Sequence, residues 1–93
     1  MDKKAISVHE REFLKELKDL AREKPDEIVR LIIHLARPPK NLPTVLEKRG
    51  VRVKHEYRLI NAVAIETSAK MALELGKETW VVKIEEDKEV KAL

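Results

Sequence analysis

Val51-Arg52-Val53-Lys54-His55-Glu56-Tyr57-Arg58-Leu59-Ile60-Asn61-Ala62-Val63-Ala64-Ile65 is the stretch on which the fold turns. Val51, Val53, His55, Tyr57 and Leu59 alternate with Arg52, Lys54, Glu56 and Arg58, the two-residue period of a strand with one wet face. A turn at Ile60 and Asn61 then leads into a shorter strand, with Val63 and Ile65 inward and the small Ala62 and Ala64 outward. Two consecutive strands set the centre of a domain, and the flanking segments must supply the rest.

Upstream, Ile28, Val29, Leu31, Ile32, Ile33 and Leu35 form a run within Glu27 to Arg37 that is too apolar for an edge strand. It reads as a central strand, with Val29, Leu31, Ile33 and Leu35 facing the core. Pro38-Pro39 stops it. Asn41 is placed to cap a short helix over 42–49 that turns Val45 and Leu46 inward, and Gly50 supplies a left-handed terminus. Downstream, Thr67 or Ser68 caps a helix through Ala69, Met71, Ala72, Leu73 and Leu75, and Gly76 ends it. Trp80, Val82 and Ile84 then face the core from a last strand. The order β-α-β-β-α-β closes as an α+β, ferredoxin-like antiparallel four-stranded sheet with two helices on one face.

A further helix precedes this unit. Ser7 and Glu10 match a capping box, and Phe13, Leu14, Leu17, Leu20 and Ala21 make one apolar stripe over a helix ending before Pro25. Three segments are therefore expected: an amphipathic helical extension over 1–26, a folded domain over 27–87, and an extended tail over 88–93. The helix stripe is expected to pack on the domain and add apolar cover to a small core.

With 93 residues the chain makes one small domain, able to bury roughly 60–65% of its unfolded surface. It has no cysteine, and its three histidines, at 9, 34 and 55, lack metal-ligand spacing, so neither metal nor cofactor is expected. Charged residues make up 40% of a Lys/Glu/Arg-rich composition of the kind common in thermostable proteins. No apolar run approaches the ~20 residues that span a bilayer, so no membrane partner is expected. Met1 to Ser7 lacks the apolar core of a signal peptide, so the chain is either cytoplasmic or the secreted part of a precursor whose signal lies elsewhere. The net charge of +3 is unevenly spread: eight basic against three acidic residues over 27–65, and five against seven over 66–93. The acidic end suits a partner offering positive dipole ends better than it suits a phosphate backbone.

The segments Ile60-Asn61-Ala62-Val63-Ala64, Ile84-Glu85-Glu86-Asp87 and Lys91-Ala92-Leu93, in this order and spacing, resemble the propeptide of subtilisin-type serine proteases. The resemblance covers about residues 27–93. It implies a domain that assists folding of its protease and then inhibits it, with the open face of the sheet against two parallel helices of the enzyme. By position, Glu85 and Asp87 would cap the N-termini of those helices, and Ala62 and Ala64 would allow close approach. Val90, Lys91, Ala92 and Leu93 would lie in the substrate groove, with Leu93 in the primary specificity pocket, Val90 in a second apolar pocket, Ala92 near the catalytic histidine and Lys91 toward solvent. A free-standing inhibitor of the same family would carry the same features.

No nucleophile and base are arranged for catalysis, since Ser7 and Ser68 read as helix caps, and the chain is expected not to be an enzyme. Two rival functions share the fold. A nucleic-acid module would use Arg52, Lys54 and Arg58, but Tyr57 and Trp80 fall on core-phase positions and leave no stacking platform, so no nucleic-acid partner is expected. A metabolite-sensing regulatory module is the other. His34 and His55 fall within strands, where protonation near pH ~6 would loosen packing.

Overall fold

The computed structural model describes residues 8–87. Helix α1 (Val8–Glu23) precedes strand β1 (Ile28–Leu35), helix α2 (Leu42–Lys48) and strand β2 (Arg52–Tyr57). A 3-10 turn (Arg58–Ile60) leads into strand β3 (Ala62–Ser68), helix α3 (Ala69–Gly76) and strand β4 (Val81–Glu86). The strands form one sheet in the order β2-β3-β1-β4, every neighbouring pair antiparallel. This is the ferredoxin-like α+β arrangement, with a third helix added at the front.

The sheet has two unlike faces. Leu31 and Ile33 of β1, Val63 and Ile65 of β3, and Val81 and Ile84 of β4 join Leu42 and Leu46 of α2, Ala69, Ala72 and Leu75 of α3 and Leu17 of α1 in one core. The alternate residues, Arg30, Ile32 and His34 on β1 and Ala62, Ala64 and Glu66 on β3, lie outside that cluster. The period-two expectation for β1 and β3 therefore holds, and all three helices cover the same side.

The first helix belongs to the same core. It packs against α3 and β4, with Leu17 buried and Phe13, Leu20 and Ala21 at the margin. The chain between α1 and β1 is tied to the head of α3: the Ala69 amide donates to the Glu27 carbonyl at 2.8 Å and the Lys70 amide to the Pro25 carbonyl at 3.1 Å. Ser68 Oγ accepts from the Met71 amide at 3.1 Å, so three amides that a helix start leaves unpaired are satisfied. The boundary expected between residues 26 and 27 is crossed by both packing and hydrogen bonds. The Ser7 side of the capping box lies outside the described residues, as does the tail over 88–93.

Other expectations are corrected. Strand β2 shifts register between Val53 and His55, so Val53 faces Ile65 while His55 pairs with Ala64 and Tyr57 with Ala62. One extra residue in the strand turns every later side chain to the other face. Val51 and Val53 point inward as read, but His55 and Tyr57 are exposed and Leu59 is wholly so. A second irregularity, at His34 and Leu35 of β1, sets Leu35 opposite Val81. Val81 and Ile84 are accordingly buried, and Val82 is exposed. Trp80 precedes the strand and packs on the core edge.

Asn41 makes no side-chain cap; it takes a left-handed conformation at φ 59°, ψ 41°, and Pro43 stands in the first turn of α2. Gly50, at φ 79°, has the expected left-handed conformation. Thr67 is not a cap but a buried core-side residue opposite Val29. Gly76 is still helical, and a Cβ there would meet Ile84 Cδ1 at 3.2 Å. Its value lies in room for the last strand, since Lys77 occupies the C-cap.

Candidate functional site

Among the described residues no element covers the second face of the sheet. Register alone lays out its side chains in rows that cross all four strands. The first row runs Tyr57, Ala62, His34, Lys83; the next runs His55, Ala64, Ile32, Glu85. The third runs from Arg52 through Glu66 to Arg30, whose carbonyl accepts from the Asp87 amide at 3.1 Å.

Ala62 and Ala64 stand where they were expected, on the open face of a central strand. They are only 2% and 3% exposed. Each is the small residue in a row whose neighbours are large, with Tyr57 and His55 on one side and His34 and Ile32 on the other. The alanines are thus the floor of a shallow depression, and an approaching surface meets the flanking side chains first. His55 and Tyr57 touch edge to face, with ring centres 4.5 Å apart.

The acidic step is also on this face. Glu85 pairs across from Ile32, and Asp87, just past the end of β4, continues the pairing through its amide to the Arg30 carbonyl, so the two-residue period carries it to the same face. Glu85 is not an unengaged anion: its Oε1 meets His34 Nε2, and Lys83 Nζ lies 3.8 Å away. Its side chain nonetheless remains 43% exposed, so it can share a further donor. Glu86 falls on the helix side, opposite Leu31.

A second charged group, not anticipated from the sequence, centres on Glu66. Arg30 Nε donates to its Oε2 at 3.0 Å, Lys54 Nζ lies 3.5 Å from the same oxygen, and Arg52 Nη1 lies 3.7 Å from Oε1. Burial by itself would raise the Glu66 pKa, but the charge and hydrogen bond of Lys54, with the charges of Arg30 and Arg52, outweigh it and hold the carboxyl below its ordinary value. One carboxylate facing three cations leaves this end of the face positive. The signal was in the sequence as Arg30, Arg52 and Glu66, but only the strand register brings them together.

The face therefore carries Arg52 and Lys54 along β2 and Glu85 and Asp87 beside Lys83 along β4, with Ala62, Ala64 and Ile32 between them together with His34 and the Arg30–Glu66 pair. Val90, Lys91, Ala92 and Leu93, the expected groove-binding residues, lie outside the described residues. Among the described residues, no three or more His, Asp or Glu side chains are grouped to hold a metal ion, and no helix is long and apolar enough to cross a membrane. Neither a protein-family model nor a curated protein matches the sequence.

Proposed function

We propose that this domain binds a subtilisin-type serine protease, assisting its folding and inhibiting it, with the open face docked on the enzyme and residues 88–93 lying in the substrate groove. The observation that carries this reading is a sheet face that no described element covers, bordered by the edge strand β4. β4 pairs with β1 on one side only, and its amides remain in register as far as Asp87. In this reading residues 88–93 would add as a strand to the enzyme, taking affinity from main-chain hydrogen bonds and specificity from alternate side chains.

Glu85 and Asp87, both half-buried, would supply the anions that unpaired amides at a helix N-terminus favour, each worth about 0.5–2 kcal/mol. A product-like tail on a docked body stays at high effective concentration in the groove, so release is slow and the result is inhibition. Only binding is required. The same contacts, made to a folding enzyme, favour its native packing.

The test is hydrolysis of a peptide substrate by a subtilisin-type protease in the presence of the chain, repeated with residues 90–93 removed. Strong inhibition by the intact chain and a loss of about 100-fold or more on truncation are expected, since the deleted residues include two apolar anchors worth roughly 1.5–3 kcal/mol each. Full enzyme activity in a large excess of the intact chain overturns the reading.

A second reading draws on one observation. Tyr57, expected inside, stands on the open face with His55, on the strand that also carries Arg52 and Lys54, a combination able to hold a single-stranded nucleic acid. Glu85 and Asp87 at the opposite edge oppose a phosphate backbone. Binding of single-stranded RNA with a steep salt dependence selects this reading over the first.

A further inference from the structure

We infer that the open face is complementary to itself, and that two copies of this chain associate face to face about a two-fold axis parallel to the strands. Such an axis lays β2 of one copy over β4 of the other and β3 over β1, because rotation about the strand direction exchanges the two edges of the sheet while keeping each row opposite itself. The rows read from the register then meet as complements.

In the middle row, Ala64 of one copy faces Ile32 of the second, a small residue against a large one. His55 faces Glu85, the carboxylate that His34 already touches. In the row beside it Ala62 faces His34, again small against large. In the third row Arg52, whose side chain is 76% exposed, faces Asp87, and the ammonium of Lys54, the extra residue of the β2 bulge, joins that row by reaching to within 3.5 Å of Glu66. Each contact occurs twice because of the symmetry.

The other in-plane axis, perpendicular to the strands, gives the opposite result. It would set Ile32 against Ile32, Ala64 against Ala64 and Glu85 against Glu85, which combines a steric conflict, a void and a like-charge contact. Charge and size together thus select one of the two symmetric arrangements. Sheets packed this way lie about 10 Å apart with strand directions within about 30°, so the central rows stay opposed despite the twist.

Four strands at about 4.8 Å spacing and six residues at about 3.3 Å rise make a footprint near 20 Å on a side. That footprint is about 400 Å² on each copy, about 800 Å² in total, below the size of stable interfaces, so the dimer is weak and concentration-dependent. It uses the same face as the protease proposed above, so the two associations exclude each other; the inference itself does not depend on that reading.

Sedimentation equilibrium of the whole chain tests it, over loading concentrations from about 10 μM to 1 mM at low salt. The average mass is expected to rise from that of the 10.8 kDa monomer toward twice that value, and to fall back when salt is added. Arg52→Glu with Lys54→Glu, and separately Glu85→Lys with Asp87→Lys, should each weaken the dimer at least tenfold. An equimolar mixture of the two variants should restore it, because both of its edge contacts are then between opposite charges. Should either variant fail to fold by circular dichroism, Arg52→Ala and Asp87→Ala serve in its place, each expected to weaken the dimer and to flatten its salt dependence. A chain that stays monomeric throughout, or a dimer unaffected by these changes, overturns the inference.

Discussion

Glu66 and Thr67 are adjacent, point to opposite faces of β3, and show how one position decides what a polar side chain costs. Glu66 is surrounded by cations and its carboxyl ionises below the ordinary value of 4.5. A depressed carboxyl contributes stability that is fully present above the unfolded value and is lost as pH falls through the folded one. Glu66→Gln should therefore lower the melting temperature near pH ~6 and converge with the parent chain as the pH falls through the depressed folded value, which a thermal melt series at several pH values checks. Thr67, by contrast, is 2% exposed and its Oγ1 has no hydrogen-bond partner among the described residues. Thr67→Val keeps the shape and removes a buried unpaired hydroxyl, so it should raise stability by about 1 kcal/mol in a denaturant titration. A loss of stability would mean that the hydroxyl is satisfied after all.

At the scale of elements, the contrast between β1 or β3 and the two edge strands explains what the sequence disclosed. β1 and β3 are hydrogen-bonded on both sides, so their alternation has no freedom to slip, and Val29, Leu31, Ile33, Val63 and Ile65 face where the period places them. β2 and β4 are edges and accommodate extra residues. Alternation continues through the bulge in β2 without interruption, so the reversal that brings His55 and Tyr57 to the open face leaves no trace in the pattern. The same holds for Val82, displaced by the irregularity opposite His34 and Leu35. Charge partners were illegible for the same reason: Arg30, Arg52 and Glu66 meet through pairings set by backbone register and not by proximity in the chain.

The loop and cap chemistry makes its own predictions. Ser68→Ala removes the cap on α3 and should cost about 1 kcal/mol. Gly76→Val would press on Ile84, whose Cδ1 stands 3.2 Å from the point a Cβ would occupy, and should destabilise by about 1–3 kcal/mol. Leu17→Ala empties a site that is 2% exposed and should cost about 2–5 kcal/mol. That last value separates the two views of α1: an appended helix would give a change near zero in the unfolding free energy of the sheet domain, whereas a shared core gives the full loss.

For the whole molecule, three helices lie on one side of the sheet and no described element covers the other. The alternation over 51–65, the apolar run over 27–37, the two helix patterns and the last strand together named the α+β architecture, because a ferredoxin-like order follows from the sequence of elements. The open face was legible only in part. Ala62, Ala64, Glu85 and Asp87 were singled out through a family resemblance and the basic residues Arg52 and Lys54 by their alternation, while the exposed aromatic at Tyr57 emerged from the register. Together they make a polarised surface, and such a surface orients whatever docks on it.

Amide hydrogen exchange of the chain bound to a catalytically inactivated subtilisin-type protease, compared with the free chain, addresses the docking most directly. Added protection along β4 and through residues 88–93, with side-chain resonances of Ala62 and Ala64 shifted and α1 to α3 unchanged, is the expected outcome. Protection confined to the helices, or no change at saturating protease, contradicts it.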